Sequence, residues 1–221
     1  MSDNDLSRLQ VALSVQLSDE SFETWTNGET EDLITWAVAQ LYPRYAREIN
    51  PQDSAATITI VAESYFYVLD ETIRNVVRVD LVGPADSAGE RLDYGRIDGG
   101  LWEVAGDLES GDGLLHVGAA LNDAYDAGYY RLTGYGAYGV SGEYTIPDRL
   151  VPLTLAMARA EAVRRIAADR SRFKAWLEKN QGQNVSVNEL KQLADDADAE
   201  IRYQKLATQR TWQKPTPGRQ G

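Results

Sequence analysis

Residues 147–180 form the longest stretch of the chain with helical periodicity, and they limit what the rest can fold into. Leu150, Leu153, Ala156, Met157, Ala160, Val163, Ile166, Ala167, Phe173 and Leu177 recur at spacings of three and four, which places them on one broad stripe of a 3.6-residue helix. Arg159, Arg164, Arg165, Arg170, Arg172 and Lys174 fill much of the remaining surface. Pro147, Asp148 and Pro152 suit a helix entry, because an acid favours the N-terminal dipole and an early proline forfeits no bonded N–H. A helix with such a stripe needs partners to cover it.

The segments on either side supply candidates. Leu6, Leu9 and Leu13 suit a helix with Asp5 or Ser7 as N-cap, although Val11, Leu13, Val15 and Leu17 also alternate as a strand would. After the turn signal Asn27-Gly28, Thr30 is the expected cap of a second helix with Leu33, Trp36, Ala37 and Leu41 on its buried face. Tyr45 and Ile49 carry that face one turn beyond Pro43. Gly182 breaks the long helix, and Ser186-Val187-Asn188-Glu189 reads as a capping box for a last helix striped by Leu190, Leu193, Ala194, Ala197 and Ile201. That helix is expected to fold back antiparallel on the long one.

Between residues 55 and 144 the pattern changes to short β-branched or aromatic runs, such as Thr57–Val61, Tyr65–Val68 and Val76–Val82, punctuated by Gly83-Pro84, Asp98-Gly99-Gly100 and Gly111-Asp112-Gly113. Five to seven short strands are expected, and no helical run there is long enough for parallel crossovers, so the sheet should be antiparallel. The fold class is therefore α+β: a helical bundle of N-terminal helices plus a C-terminal antiparallel helix pair, a large inserted antiparallel β region, and an extended C-terminal tail. The expected divisions are 1–50 helical, 55–145 β-rich, 147–208 the helix pair and 209–221 the tail.

Charge divides the chain at the same place. Up to Ile146 there are 25 acidic and 8 basic residues, a balance of −17; from Pro147 onward there are 9 and 14, a balance of +5. Such polarity informs about partners rather than fold. The chain has no cysteine, which excludes disulfides and thiolate metal sites. The acidic N-terminus shows no secretory signal, and no run reaches the roughly 18 apolar residues of a membrane span.

Chemistry-bearing motifs are few. Gly134-Tyr135-Gly136-Ala137-Tyr138-Gly139 fits G-x-G-x-x-G, but no helix start follows it to hold a pyrophosphate, so it reads as a turn. His116, the one histidine, lies in an apolar run without a nucleophile elbow elsewhere. Asp107, Glu109 and Asp112, and separately Asn122, Asp123 and Asp126, lack the ligand spacing of a calcium loop and read as solvated turns. Asp93, Asp98 and Glu103 are a possible acid–base set with nothing to separate their environments. Asp195, Asp196, Asp198 and Glu200 read as the wet face of the last helix. The arginines of the long helix, set among Glu161, Asp169 and Glu178, read as packing and salt bridging rather than a nucleic-acid surface. No catalytic residue, metal ligand or cofactor-binding residue is assigned. The tail is different: a basic, proline-containing end cannot build a core but can order on a partner, with Trp212 as anchor and Arg210, Lys214 and Arg219 as complementary charge, beside Pro215 and Pro217.

The order of these parts resembles a family. Trp25 and Glu31-Asp32-Leu33 lead to Ala37-Val38-Ala39-Gln40-Leu41-Tyr42-Pro43, a β region ends in Gly128-Tyr129-Tyr130-Arg131-Leu132, and Ile146-Pro147-Asp148 opens an alanine- and arginine-rich helix before a second helix and a basic Trp/Pro tail. This is similar to the head-to-tail connector (adaptor, or head completion) proteins of tailed bacteriophages, although the β region exceeds that of the compact all-helical members. The resemblance implies a non-enzymatic virion protein at the head–tail interface, made in the host cytoplasm and without cofactor. It implies a homo-oligomeric ring, commonly of twelve copies, that binds the portal protein and a tail or stopper protein. Genomic DNA would pass through its lumen without sequence-specific contact, and no membrane is involved. The tail residues Arg210, Trp212, Lys214, Pro215, Pro217 and Arg219 would dock on the portal, and the acidic N-terminal part would line a channel or face the next neck ring. Two other readings stand beside it: a metal-dependent enzyme with its site in the β region, and a carbohydrate-binding module using Trp102, Tyr129, Tyr130, Tyr135 and Tyr138 as stacking faces.

Overall fold

The helices of the computed structural model are α1 (Leu6–Gln16), α2 (Asn27–Ala39), α3 (Ala119–Asn122), α4 (Val151–Ala168) and α5 (Val187–Trp212). The structure describes residues 4–17, 24–49, 53–85, 90–122, 128–140, 145–169, 174 and 187–212. Two units divide the chain: Met1–Leu41 with Gly139–Gly221, and Tyr42–Tyr138. The fold is α+β, with helices and two antiparallel sheets. Among the described residues no helix is long and apolar enough to cross a membrane.

The first unit is built around α4, against which α1, α2 and α5 pack. Six consecutive residues, Leu153 to Ala158, are buried, more than a full turn, so the first half of α4 is enclosed on all sides rather than along one stripe. Alanine at 156, 158, 160 and 162 keeps the helix narrow where neighbours approach. The buried Thr154 hydroxyl is satisfied by donating to the Leu150 carbonyl at 2.9 Å. Leu9 and Leu13 of α1 and Leu33, Ile34, Ala37 and Val38 of α2 are buried as well. Asn4, itself buried, donates to the Ile146 carbonyl (3.0 Å) and the Asp148 carboxylate (2.8 Å), fixing the start of the chain at the entry to α4.

Several local expectations change here. The run 147–180 is not one helix: Asp148–Leu150 is a 3₁₀ turn, α4 ends at Ala168, and Asp169 is extended. Aspartate favours local side-chain bonds over a helix interior, which suits Asp169 to the end of α4. Gly182 and Ser186 lie outside the described residues. Helix α2 begins earlier than expected: Thr26, not Thr30, is the N-cap, accepting from Glu29 N while the Glu29 carboxylate accepts from Thr26 N at 3.0 Å. Asn27-Gly28 is its first turn, not a loop. Helix α5 continues past residue 208 through Arg210 to Trp212, supported by Gln204 donating to Glu200 and Thr208 to the Gln204 carbonyl, with no proline before Pro215 to stop it.

In the second unit the strands are β1 (Arg47–Ile49), β2 (Thr57–Thr59), β3 (Phe66–Val68), β4 (Ile73–Ala85), β5 (Arg91–Arg96), β6 (Trp102–Ala105), β7 (Leu114–Val117) and β8 (Tyr129–Gly136). Seven of these strands, β2 to β8, fall between residues 55 and 144, as expected for that stretch, and β1 lies ahead of it. The expected helical turn at Tyr45–Ile49 is instead β1, because Arg47–Ile49 pairs with Gly134–Gly136 of β8 and turns Ile49 into the core. One sheet runs β1-β8-β4-β5, with β2 also on β8; the other runs β3-β7-β6, and every pairing is antiparallel. Alternation places Tyr130 and Leu132 of β8 and Leu115 and Val117 of β7 inward. A single apolar cluster spans both sheets, where Tyr67 meets Tyr130 edge to face at 5.4 Å. Burial, and then the Tyr67 neighbour, raises the Tyr130 phenol above its ordinary pKa.

Candidate assembly surface and charged sheet face

The outward faces carry what chemistry the molecule has. On the larger sheet, Tyr129, Arg131, Thr133 and Tyr135 of β8 point away from the core, and across the ladder Arg131 faces Thr57 and Asp80 while Tyr129 faces Thr59 and Val82. Arg131 donates to Asp93 at 2.6 Å, and the Asp93 carboxylate also accepts from Gly95 N at 2.8 Å. The Arg131 bond, then the Gly95 bond, holds the Asp93 carboxyl below its ordinary pKa, and the same pair raises Arg131. Buried Asp80 is neutralised by Arg78 at 2.6 Å. These charges are arranged as pairs that stabilise a sheet face, since each acid has its base.

The sequence candidates fall apart on this scaffold. Asp93 is committed to Arg131, Asp98 accepts from Gly100 N (3.0 Å), and Glu103 lies 3.0 Å from His116 Nδ1, so the three carboxylates form no acid–base set. His116 stacks on Phe66 at 4.6 Å in a cross-strand row Phe66–His116–Glu103 on the smaller sheet. Asp107 accepts from Glu109 N, and Ser110 donates to Asp112, so that loop's acids cap the loop itself. Asp123 and Asp126 lie outside the described residues, as does the Asn122 side chain. Among the described residues no group of three or more metal-ligating side chains converges.

Gly134 and Gly136 belong to β8, not to a phosphate loop. Bulges in β4 bring the Asn75 carbonyl against Gly134 and the Thr72 carbonyl against Gly136, where no side chain fits. The aromatic residues do not make one platform either. Tyr130 is in the core, Trp102 packs against the core cluster, and Tyr129 and Tyr135 are six residues apart along β8, about 20 Å.

On the helical unit, Arg164 pairs with Asp198 of α5 at 2.5 Å and with Glu161, and Arg165 pairs with Glu161. Arg164 therefore ties α4 to α5 while Arg165 braces α4 itself, and Asp198 is a tie rather than part of a uniformly wet face; Asp195, Asp196 and Glu200 are exposed. Of the expected docking residues, Arg210 and Trp212 are on α5. Lys214, Pro215, Pro217 and Arg219 lie outside the described residues.

What sequence reading missed is a set of apolar side chains left in water. On α1, Val11 and Val15 are 60% and 55% exposed; on α5, Tyr203 and Leu206 are 65% and 60% exposed. Each pair sits one turn apart on a helix face that does not pack on α4. The signal was present in α1: the valines that made residues 11–17 alternate like a strand are those that break the helical stripe of Leu9 and Leu13. No protein-family model and no curated protein matches the chain.

Proposed function

We propose that the protein is a non-enzymatic structural subunit that assembles with copies of itself, and that its place is the ring joining head and tail in a tailed phage. The observation that carries the reading is the pair of apolar helix faces, Val11/Val15 and Tyr203/Leu206, on the unit made from both chain ends. Exposed apolar side chains in pairs on otherwise polar helices are covered at low cost by a neighbouring subunit. The order of elements resembles the connector family. In this assignment α4 and α5 form an antiparallel scaffold, and the segment containing Arg210, Trp212, Lys214, Pro215, Pro217 and Arg219 seats the ring on the portal. The ring, of twelve copies as the resemblance implies, would sit at the head–tail interface of the virion and bind a tail or stopper protein on its other side.

The test is oligomeric state by native mass spectrometry and electron microscopy, with and without a portal. The intact chain should form closed rings. Replacing Val11, Val15, Tyr203 and Leu206 by serine should shift it to smaller species while thermal stability changes little, since these side chains are already in water. Removing residues 213–221 should weaken portal capture and leave the ring. An intact chain that stays monomeric at high concentration and beside a portal would sink the assignment.

A further inference from the structure

The second unit contains a cleft that the assembly reading does not use. It is an open-sided depression of about 680 Å³, lined among the described residues by Thr57 and Thr59 of β2, Pro84 of β4, Arg91 of β5, and Gly128 and Tyr129 at the start of β8. No acid is among the described lining residues, although residues 42–138 hold 16 acidic and only 7 basic side chains. Arg47, Arg78 and Arg131 in this unit each have a carboxylate partner. Arg91, like Arg44, Arg74 and Arg96, has no carboxylate partner among the described residues, and its guanidinium lies over the Tyr129 ring, 4.9 Å from the centroid, beside the cleft.

That arrangement prepares a cation for a ligand. The ring fixes one face of the guanidinium and leaves its N–H edge available, and that planar fork matches a carboxylate or phosphate with two parallel bonds. Thr57 and Thr59 are two residues apart on one strand, so their side chains share a face about 7 Å apart. Neither hydroxyl has a hydrogen-bond partner among the described residues, and hydroxyls both donate and accept, as ligand hydroxyls do. Nearby Asp93 does not compete for Arg91, being held by Arg131 and Gly95. The floor is tight where backbone meets backbone: Gly128 has φ +119°, and a Cβ there would collide with the Val82 carbonyl. The volume is far larger than one phosphate or carboxylate group requires and falls in the range of small-molecule sites.

We infer that this cleft binds a small organic anion, a phosphate or carboxylate carried on a hydroxylated, sugar-sized body, with Arg91 reading the charge and Thr57 and Thr59 the hydroxyls. The inference does not depend on the ring assignment.

The experiment is amide NMR on the full ¹⁵N-labelled chain at constant ionic strength, titrated separately with ribose 5-phosphate, glucuronate, neutral ribose and inorganic phosphate. Either organic anion should give saturable shifts confined to the amides around Thr57, Thr59, Gly128 and Tyr129, with ribose and inorganic phosphate at least several-fold weaker. Arg91→Ala should weaken binding roughly tenfold or more, the worth of a charge-assisted bidentate contact, whereas Arg96→Ala, a β5 arginine outside the cleft, should not. No saturable shift from either organic anion up to about 10 mM would overturn the inference. So would equal losses in both variants, or inorganic phosphate binding as well as the organic anions. If Arg91→Ala instead reduces oligomer size, the cleft receives an acidic side chain from a second copy, and the small-anion reading is wrong.

Discussion

Gly134→Ala separates a structural glycine from a ligand-binding one. The added Cβ would lie well under 3.0 Å from the Asn75 carbonyl oxygen, 3.0 Å from its carbon and 3.1 Å from the Val76 Cα. All three are backbone atoms, so no side chain can swing away. The β4–β8 ladder would have to separate at the bulges on either side of Asn75 and Val76, and this is the longest ladder of the sheet. Overpacking of this kind costs about 1–3 kcal/mol, and with rigid neighbours the upper end applies, about 3 kcal/mol. Native-state hydrogen exchange of the Val79 and Leu132 amides, which flank the site on the two strands, should then accelerate roughly a hundredfold. Gly28→Ala is the internal contrast. Gly28 lies in the first turn of α2 with nothing within 4 Å of its would-be Cβ, so alanine should stabilise by about 0.5 kcal/mol. Unchanged exchange at Val79 and Leu132 in Gly134→Ala would refute the close-approach argument and reopen a ligand role for the glycine motif.

Two further outcomes test the local physics. Thr26→Ala removes the capping box of α2 and should cost about 1 kcal/mol in urea unfolding, while Thr30→Ser, which retains the hydroxyl that bonds the Thr26 and Asn27 carbonyls, should cost less. Asp93 has a depressed folded-state pKa, so its stabilising contribution is full above the unfolded carboxylate value of about 3.9 and disappears as pH falls through the lower folded value. Comparing wild type with Asp93→Asn across that range should show a stability difference at neutral pH that closes in acid, and a difference independent of pH would show that the Arg131 pair is not its source.

The sequence by itself determined the α+β class, the antiparallel habit of the β region and most of the helix starts, because periodicity, β-branching and capping are local properties. Asp5 caps α1 as its position predicts, accepting from Arg8 N at 2.9 Å. It did not locate the exposed apolar helix faces. Tertiary structure decided four things that local rules misjudged. Burial on all sides of α4 comes from three packed helices, which a one-face reading of 147–180 does not anticipate. Arg47–Ile49 became a strand because β8 offered an edge far along the chain. Gly134 and Gly136 are fixed by bulges in a different strand, so their spacing alone resembled a nucleotide motif. Arg91 and Tyr129 meet only because β5 and β8 both flank β4. In each case the deciding partner is distant in sequence, and a contact between distant residues leaves no periodic trace along the chain.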